Sequence, residues 1–194
     1  MKAQDMDEAR VCRLSPQIAT PEALAPFGGW LGPHSGISPL AVDYYAGAVA
    51  MSRPVDFACS GSTELSLTSL KRRPFEVRYL ERHFLHTQTF IPLGGKPFVV
   101  VLAPPCEEEL PDLGALKAFH FDGSAGLCLG LGTWHEFPFA YDDDTHVAVV
   151  LSSQVTEDLH NRSENGVEAS GPDLDKKDIV SRTGVQIVVD VEAS

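Results

Sequence analysis

Hydrophobic positions along this chain recur with a period of two, in short runs. In STELSLTSL, residues 62–70, Leu65 and Leu67 alternate with polar neighbours. In FEVRYLE, residues 75–81, alternation puts Phe75, Val77 and Tyr79 on one face and Glu76, Arg78 and Leu80 on the other. PFVVVLA, residues 97–103, is apolar on both faces, which predicts a central strand. Residues 46–52, 125–137, 146–153 and 185–191 complete the predicted strands. One helix is predicted over PDLGALKAFHF, residues 111–121, with Asp112 as N-cap and Leu113, Leu116 and Phe119 at helical spacing. Residues 156–178 are polar without a sustained apolar period and predict an exposed loop.

Fourteen prolines and sixteen glycines cut the sequence into short pieces. No βαβ alternation is present, so the expected fold is all-β, a sandwich or small barrel with one or two short helices. A chain of 194 residues fits a single domain, 1–194, preceded by an N-terminal segment over residues 1–20. The formal net charge of -12 opposes a nucleic-acid or anionic-membrane partner, which needs an attractive field over the contact surface. Cys12, Cys59, Cys106 and Cys128 form no CxxC pair and read as reduced thiols. The opening MKAQDMDEARVCRL has no apolar core, and no apolar run approaches the roughly 20 residues that span a bilayer; the expectation is a cytoplasmic protein.

Candidate chemistry lies in two polar clusters. In ERHFLHTQTF, residues 81–90, a regular strand would set Glu81 and His83 on one face, against Arg82, His86 and Gln88 on the other. A bulge or turn near residues 84–86 would instead bring His83 and Gln88 to one side. In GLGTWHEFPF, residues 130–139, alternation puts His135, Phe137 and Phe139 on one face and Trp134 and Glu136 on the other. A histidine beside aromatic walls suits general acid/base work, although a lone histidine on an apolar strand is commonly only a core residue. His83, His86, His135 and Glu136 are acceptable divalent-metal ligands, at a spacing unlike the H-x-H pair common in metal-binding cupins. Lys71, Arg72, Arg73, Arg78 and Arg82 concentrate positive charge in an acidic chain, either solvated or forking onto a small carboxylate. Glu107–Glu109 and Asp142–Asp144 read as solvated turns.

Taken in order, ALAPFGGWLG (residues 23–32), LERHFLHTQTFIPLGGKPFVVVLAP (80–104), PDLGALKAF (111–119) and GTWHEFPF (132–139) resemble the ureidoglycolate lyase family, formerly called ureidoglycolate hydrolases. The resemblance extends from about Pro21 to Ser153 and is strongest between Leu80 and His135. It implies a cupin-like β-barrel, a homodimer, and cleavage of ureidoglycolate to glyoxylate and urea in allantoin breakdown. Residue by residue, it implies catalytic roles for His83, Gln88 and His135, with His83 or His135 as acid/base and Gln88 as an orienting partner. Glu81 and Arg82 match the ERH signature, and Arg72 or Arg73 would lie near the substrate carboxylate, with Glu136 also in the binding wall. The chain departs from the family pattern at Phe84, His86, Leu129, Leu131, Glu136 and Phe137. A more apolar wall with an added carboxylate points towards a related small hydroxy or amino carboxylate as an alternative substrate. A different class of function also stays open: a metal-dependent enzyme or small-carboxylate-binding protein holding a divalent ion on His83, His86 and His135.

Overall fold

A computed structural model describes residues 10–42, 44–162 and 168–191. The described chain is all-β, in three sheets with short helices. The largest sheet runs in the order Ala169–Ser170, Asp175–Asp178, Tyr79–Arg82, Trp134–His135, Phe98–Ala103, Lys117–Phe121 and Gln17–Ile18, with Phe139–Ala140 also paired to Phe98–Ala103. A five-stranded sheet runs Gly28–Leu31, Gly126–Leu129, Gln88–Leu93, Thr145–Ser152, Thr63–Leu70. A three-stranded sheet joins Arg10–Leu14, Val185–Val189 and Glu76–Val77.

Two hydrophobic clusters explain how these sheets stack. Phe98, Val100, Leu102, Phe119 and Phe121 on one face of the largest sheet pack with Phe90, Leu127, Leu129, Val147 and Val149 of the five-stranded sheet. Val99, Val101, Ala103, Ala118, Leu80 and Trp134 on its other face pack with Val77, Val185, Ile187 and Val189 of the three-stranded sheet. A strand covered on both sides can carry no polar residue without a partner. Phe98–Ala103 accordingly keeps all six side chains at 1% exposure or less, as its unbroken apolar run predicted. Full burial of each large side chain contributes about 1.5–3 kcal/mol.

Several sequence expectations are corrected. Residues 111–121 are not a helix: Asp112 does cap, accepting from Gly114 N–H, but only a 3-10 turn Leu113–Ala115 follows, and Lys117–Phe121 is a strand. Pairing of Val100 with Phe119 and burial of Ala118 and Phe119 on opposite faces override the helical spacing. Residues 46–52 form no strand; a 3-10 turn Tyr45–Gly47 stands there, with an isolated bridge between Tyr44 and Val49. Residues 75–81 split at Arg78 because the chain leaves the three-stranded sheet and enters the largest one, so Val77 and Leu80, expected on opposite faces, share one core. Residues 125–137 likewise divide into Gly126–Leu129 and Trp134–His135 around a turn held by Gly132, whose φ of 76° is a left-handed conformation.

The expected exposed loop over residues 156–178 is also overturned in its described part; residues 163–167 lie outside the described residues. The helix Ser153–Arg162 inserts Val155 and Leu159 into the first cluster, and Asp175–Asp178 pairs with Tyr79–Arg82 in the register Asp175↔Arg82 and Lys176↔Glu81. That polar strand is tied by ions. Arg82 Nη2 lies 3.1 Å from Asp175 Oδ2, and Lys177 Nζ lies 3.1 Å from Asp175 Oδ1. Arg82 also donates to the Cys106 carbonyl at 2.8 Å and lies 4.2 Å over the Trp134 ring. Removing one member of a buried pair strands the other charge, at a cost of about 3–5 kcal/mol. Arg82→Ala should therefore lower the unfolding free energy by about 3 kcal/mol, the low end because Lys177 still partners Asp175; an unchanged urea midpoint would show the pair to be energetically idle.

Candidate active site

On the face of the largest sheet that meets the five-stranded sheet, one transverse row runs Leu102, His135, Glu81, Lys176, each in register with the next. Leu102 belongs to the apolar cluster, so the row passes from hydrocarbon to ionisable groups within one step. The five-stranded sheet faces it with Leu129 and Gln88, paired in register, and with Phe90, whose ring centroid lies 6.1 Å from that of His135.

The strand Tyr79–Arg82 ends before His83, and Gln88–Leu93 begins after Thr87. The intervening residues form a turn, the second of the two geometries the sequence left open, and it brings His83 and His86 together, with Gln88 at the start of the following strand. The turn is pinned from two sides. Thr87 N–H donates to the Ala58 carbonyl at 2.9 Å, and Gly132 N–H donates to the His83 carbonyl at 2.6 Å. His83, His86, Gln88 and His135 are all 3% exposed or less. The imidazole centroids of His83 stand 4.5 Å from His86 and 5.1 Å from His135.

Each imidazole is oriented by an oxygen acceptor at Nδ1. His135 Nδ1 lies 3.1 Å from the Thr133 carbonyl, His83 Nδ1 lies 3.2 Å from the Asp173 carbonyl, and His86 Nδ1 lies 2.8 Å from Asp173 Oδ2. A carbonyl or carboxylate can only accept, so all three rings carry their proton at Nδ1 when neutral. Their Nε2 atoms are then bare lone pairs, and all three, with Gln88 Oε1, are buried without a hydrogen-bond partner among the described residues. Glu81 Oε1 lies 3.5 Å from His135 Nε2 and 3.8 Å from His83 Nε2. Lone pairs facing a carboxylate at this range repel unless a cation or proton lies between them.

Burial pushes the Glu81 carboxyl up, but contact with His135 and the charges of Lys176 and, when they are protonated, of His135 and His83 overcome it and hold it at about 2. Burial, reinforced by His135, pushes His83 down to about 4. At neutral pH Glu81 is ionised and His83 neutral. Burial raises Glu136, against the opposing charge of Arg73.

The sequence-derived residues divide accordingly. Glu81, His83, His86 and His135 converge, and Gln88 is buried on the facing sheet, on the same side of its strand as Phe90. Arg82 does not converge: it is turned to the opposite face, as strict alternation from Glu81 requires, and stacks on Trp134. Arg72 donates its backbone N–H to Asp143 and lines a separate cleft with Ile18, His120, Tyr141 and Asp190. Arg73 donates to the Phe137 carbonyl at 2.9 Å, lies 3.8 Å over Phe139, and reaches the site only through Glu136, 3.6 Å away. Phe137 and Phe139, expected on one face with His135, are separated by the break after His135. Phe139 enters the second cluster, while Phe137 approaches Phe90 with ring centroids 6.5 Å apart. Leu129 is wall; Leu131 is 47% exposed on the turn and is not. Two contributors were missed, Asp173 and Lys176, both inside the stretch expected to be loop, where no hydrophobic period marked a strand.

A family model for ureidoglycolate lyase matches residues 11–170. This chain belongs to the ureidoglycolate lyase family. A ureidoglycolate lyase of Azotobacter vinelandii is 38% identical over 77 residues, 40% of this chain and 45% of that one. A ureidoglycolate lyase of Pseudomonas aeruginosa is 34% identical over 130 residues, 60% of this chain and 69% of that one. The match thus spans under half the length of the first relative and about two thirds of the second. Among solved structures, a dTDP sugar isomerase of Desulfovibrio desulfuricans G20 gives a TM-score of 0.33 at 24% identity, covering 59% of this chain and 71% of that one.

The low value at His83 fixes the sign of an acid effect. The unfolded chain takes up the His83 proton near 6.5 and the folded chain only near 4, so its contribution to stability is complete above 6.5 and lost as pH falls towards 4. Glu81, depressed from 4.5 to about 2, adds a loss in the same direction at lower pH. Thermal melts of chelator-treated protein should show a melting temperature that falls between pH 6.5 and 4, and His83→Gln should flatten that slope relative to wild type.

Proposed function

We propose that the protein cleaves ureidoglycolate to glyoxylate and urea by acid/base elimination in this cluster. The observation that carries the reading is the lining: three Nε2 lone pairs, Gln88 Oε1 and the Glu81 carboxylate, acceptors throughout, which call for a ligand rich in hydrogen-bond donors. Ureidoglycolate brings a hydroxyl and ureido N–H groups. Neutral His83 takes the hydroxyl proton; the oxygen forms the aldehyde C=O as the C–N bond breaks. Glu81, within 3.8 Å of both rings, relays that proton to His135 Nε2, from which it passes to the departing nitrogen, which leaves as urea. Gln88 orients the ureido group through its carbonyl oxygen. Lys176, in register with Glu81, is better placed than Arg72 or Arg82 to balance the substrate carboxylate.

The donor set favours a second reading. Glu81, His83 and His135 offer ligand atoms all within 4.8 Å of one another, and so do His83, His86 and Asp173. Bare, buried Nε2 atoms beside a carboxylate fit a divalent ion. Such an ion, when bound, would supply Lewis-acid polarisation of a substrate oxygen. Glu81, His83 and His135 would then hold it, leaving Gln88 and Lys176 to orient the ureido and carboxylate ends.

Glyoxylate release from ureidoglycolate, with and without added divalent metal, tests both. Wild type should release glyoxylate, and His135→Ala should lower kcat by about 10²–10⁴-fold with its fold intact. Activity that survives chelation supports the elimination reading, and activity restored only by metal supports the second. No release from folded wild type under either condition overturns the substrate.

For the assembly, we infer a homodimer through the outer face of the five-stranded sheet. Its edge strand Thr63–Leu70 leaves Leu65 and Leu67, 74% and 65% exposed, beside Ile91, Leu93, Ala148 and Val150. Ile37, Val42, Tyr45, Met51 and Phe57 of the preceding segment add exposed apolar surface. Exposed leucines on an open sheet edge invite a second copy. Sedimentation should give twice 21.0 kDa for wild type and a monomer for the Leu65→Lys, Leu67→Lys double variant; a monomeric wild type refutes the interface.

A further inference from the structure

His86 is not needed for the elimination above, yet it is one of the most elaborately held side chains in the molecule. Its holder is Asp173, 2% exposed. Asp173 Oδ1 accepts the backbone N–H groups of Phe84 at 3.0 Å and Leu85 at 2.6 Å, while Oδ2 takes His86 Nδ1 at 2.8 Å. One carboxylate thus shapes the 83–87 turn with one oxygen and fixes the tautomer of His86 with the other. His86 Nε2 is left as a buried lone pair without a partner. Water exclusion makes such an acceptor costly when empty, so its presence argues for an occupant. Asp173 lies beyond the stretch that the family model matches, which ends at residue 170.

We propose that Asp173 is a positioning residue that holds His86 in the Nδ1–H tautomer, so that His86 Nε2 accepts a hydrogen bond from an N–H of the ureido end of the substrate. The pair is therefore a specificity device for donor-bearing leaving groups, separate from the proton-transferring His83 and His135. It rests on the location of the site proposed above and not on which histidine is acid or base.

The isosteric variant Asp173→Asn separates shape from tautomer. Its Oδ1 still accepts from Phe84 and Leu85, but its NH₂ donates to His86 Nδ1 and forces the proton to Nε2, turning the acceptor into a donor. Nitrogen-15 NMR of the histidine rings reads this directly. Wild-type His86 should show a bare Nε2 that shifts on titration with urea, and Asp173→Asn should show a protonated Nε2 that does not. With ureidoglycolate, kcat/KM should fall about 10- to 100-fold, with the melting temperature held near that of wild type. A second variant, His86→Phe, should lose the same factor without depending on Asp173.

Saturating urea that moves the Gln88 side-chain amide but leaves wild-type His86 Nε2 unshifted overturns the proposal. So does an Asp173→Asn protein with a switched tautomer and undiminished kcat/KM. If wild type binds urea through His86 yet releases no glyoxylate, the substrate reading fails and the His86 inference stands.

Discussion

The site depends on one arrangement of protons. Every imidazole in it gives its Nδ1–H to an oxygen of the chain: the Thr133 carbonyl, the Asp173 carbonyl, the Asp173 carboxylate. A neutral histidine has one proton to place, and these acceptors place it away from the cavity. Three buried Nε2 lone pairs then cluster around Glu81 with no hydrogen-bond partner among the described residues. If any one of the rings were reversed, the lining would hold a mixture of donors and acceptors able to satisfy one another, and the cluster would be an ordinary buried network. Because they are all turned the same way, the cluster stays unsatisfied and retains affinity for something else.

The layered sheets make that arrangement affordable. A buried carboxylate between two imidazoles would be pulled apart by hydration in a flexible pocket. Here Glu81 and His135 stand on adjacent strands of a sheet covered on both faces by apolar clusters, so neither backbone can move independently. The same sheet sends Arg82 to the other side, where its charge is absorbed by Asp175 and the Trp134 ring. Alternation thus separates two ionic systems only one residue apart: Glu81 stands among the imidazoles, and Arg82 fastens the Asp175–Asp178 strand that carries Lys176 and follows Asp173.

What the sequence made legible follows from where apolar periodicity was intact. The central strand and the pairing partners Thr63–Leu70 and Thr145–Ser152 could be read because one or both faces are hydrophobic. Convergence of His83, Gln88 and His135 could be suspected from the family motif, although the turn that produces it was only one of two options. Asp175–Asp178 could not be read at all. Its sequence, DKKD, is polar on both faces because its partners are charges on other strands, and ion pairs leave no periodic trace. The same blindness hid Asp173 and Lys176. Arg82 is the opposite case: alternation already opposed it to Glu81, and the motif drew it into the site against that signal.

Departures from the family pattern gain meaning from the geometry. Leu131 sits on the exposed turn and changes the mouth at most, whereas Leu129 is in register with Gln88 and narrows the wall beside it. Glu136 adds a carboxyl that burial raises and Arg73 answers, so part of its charge is already met before a ligand arrives. His86 alone adds an unmet acceptor in the interior. A hydrophobic wall discriminates between ligands by about 1–3 kcal/mol per methylene, but a buried acceptor left empty rejects a ligand without the matching donor far more strongly. Of these substitutions, the one at His86 therefore has the greatest leverage over which leaving group the site accepts.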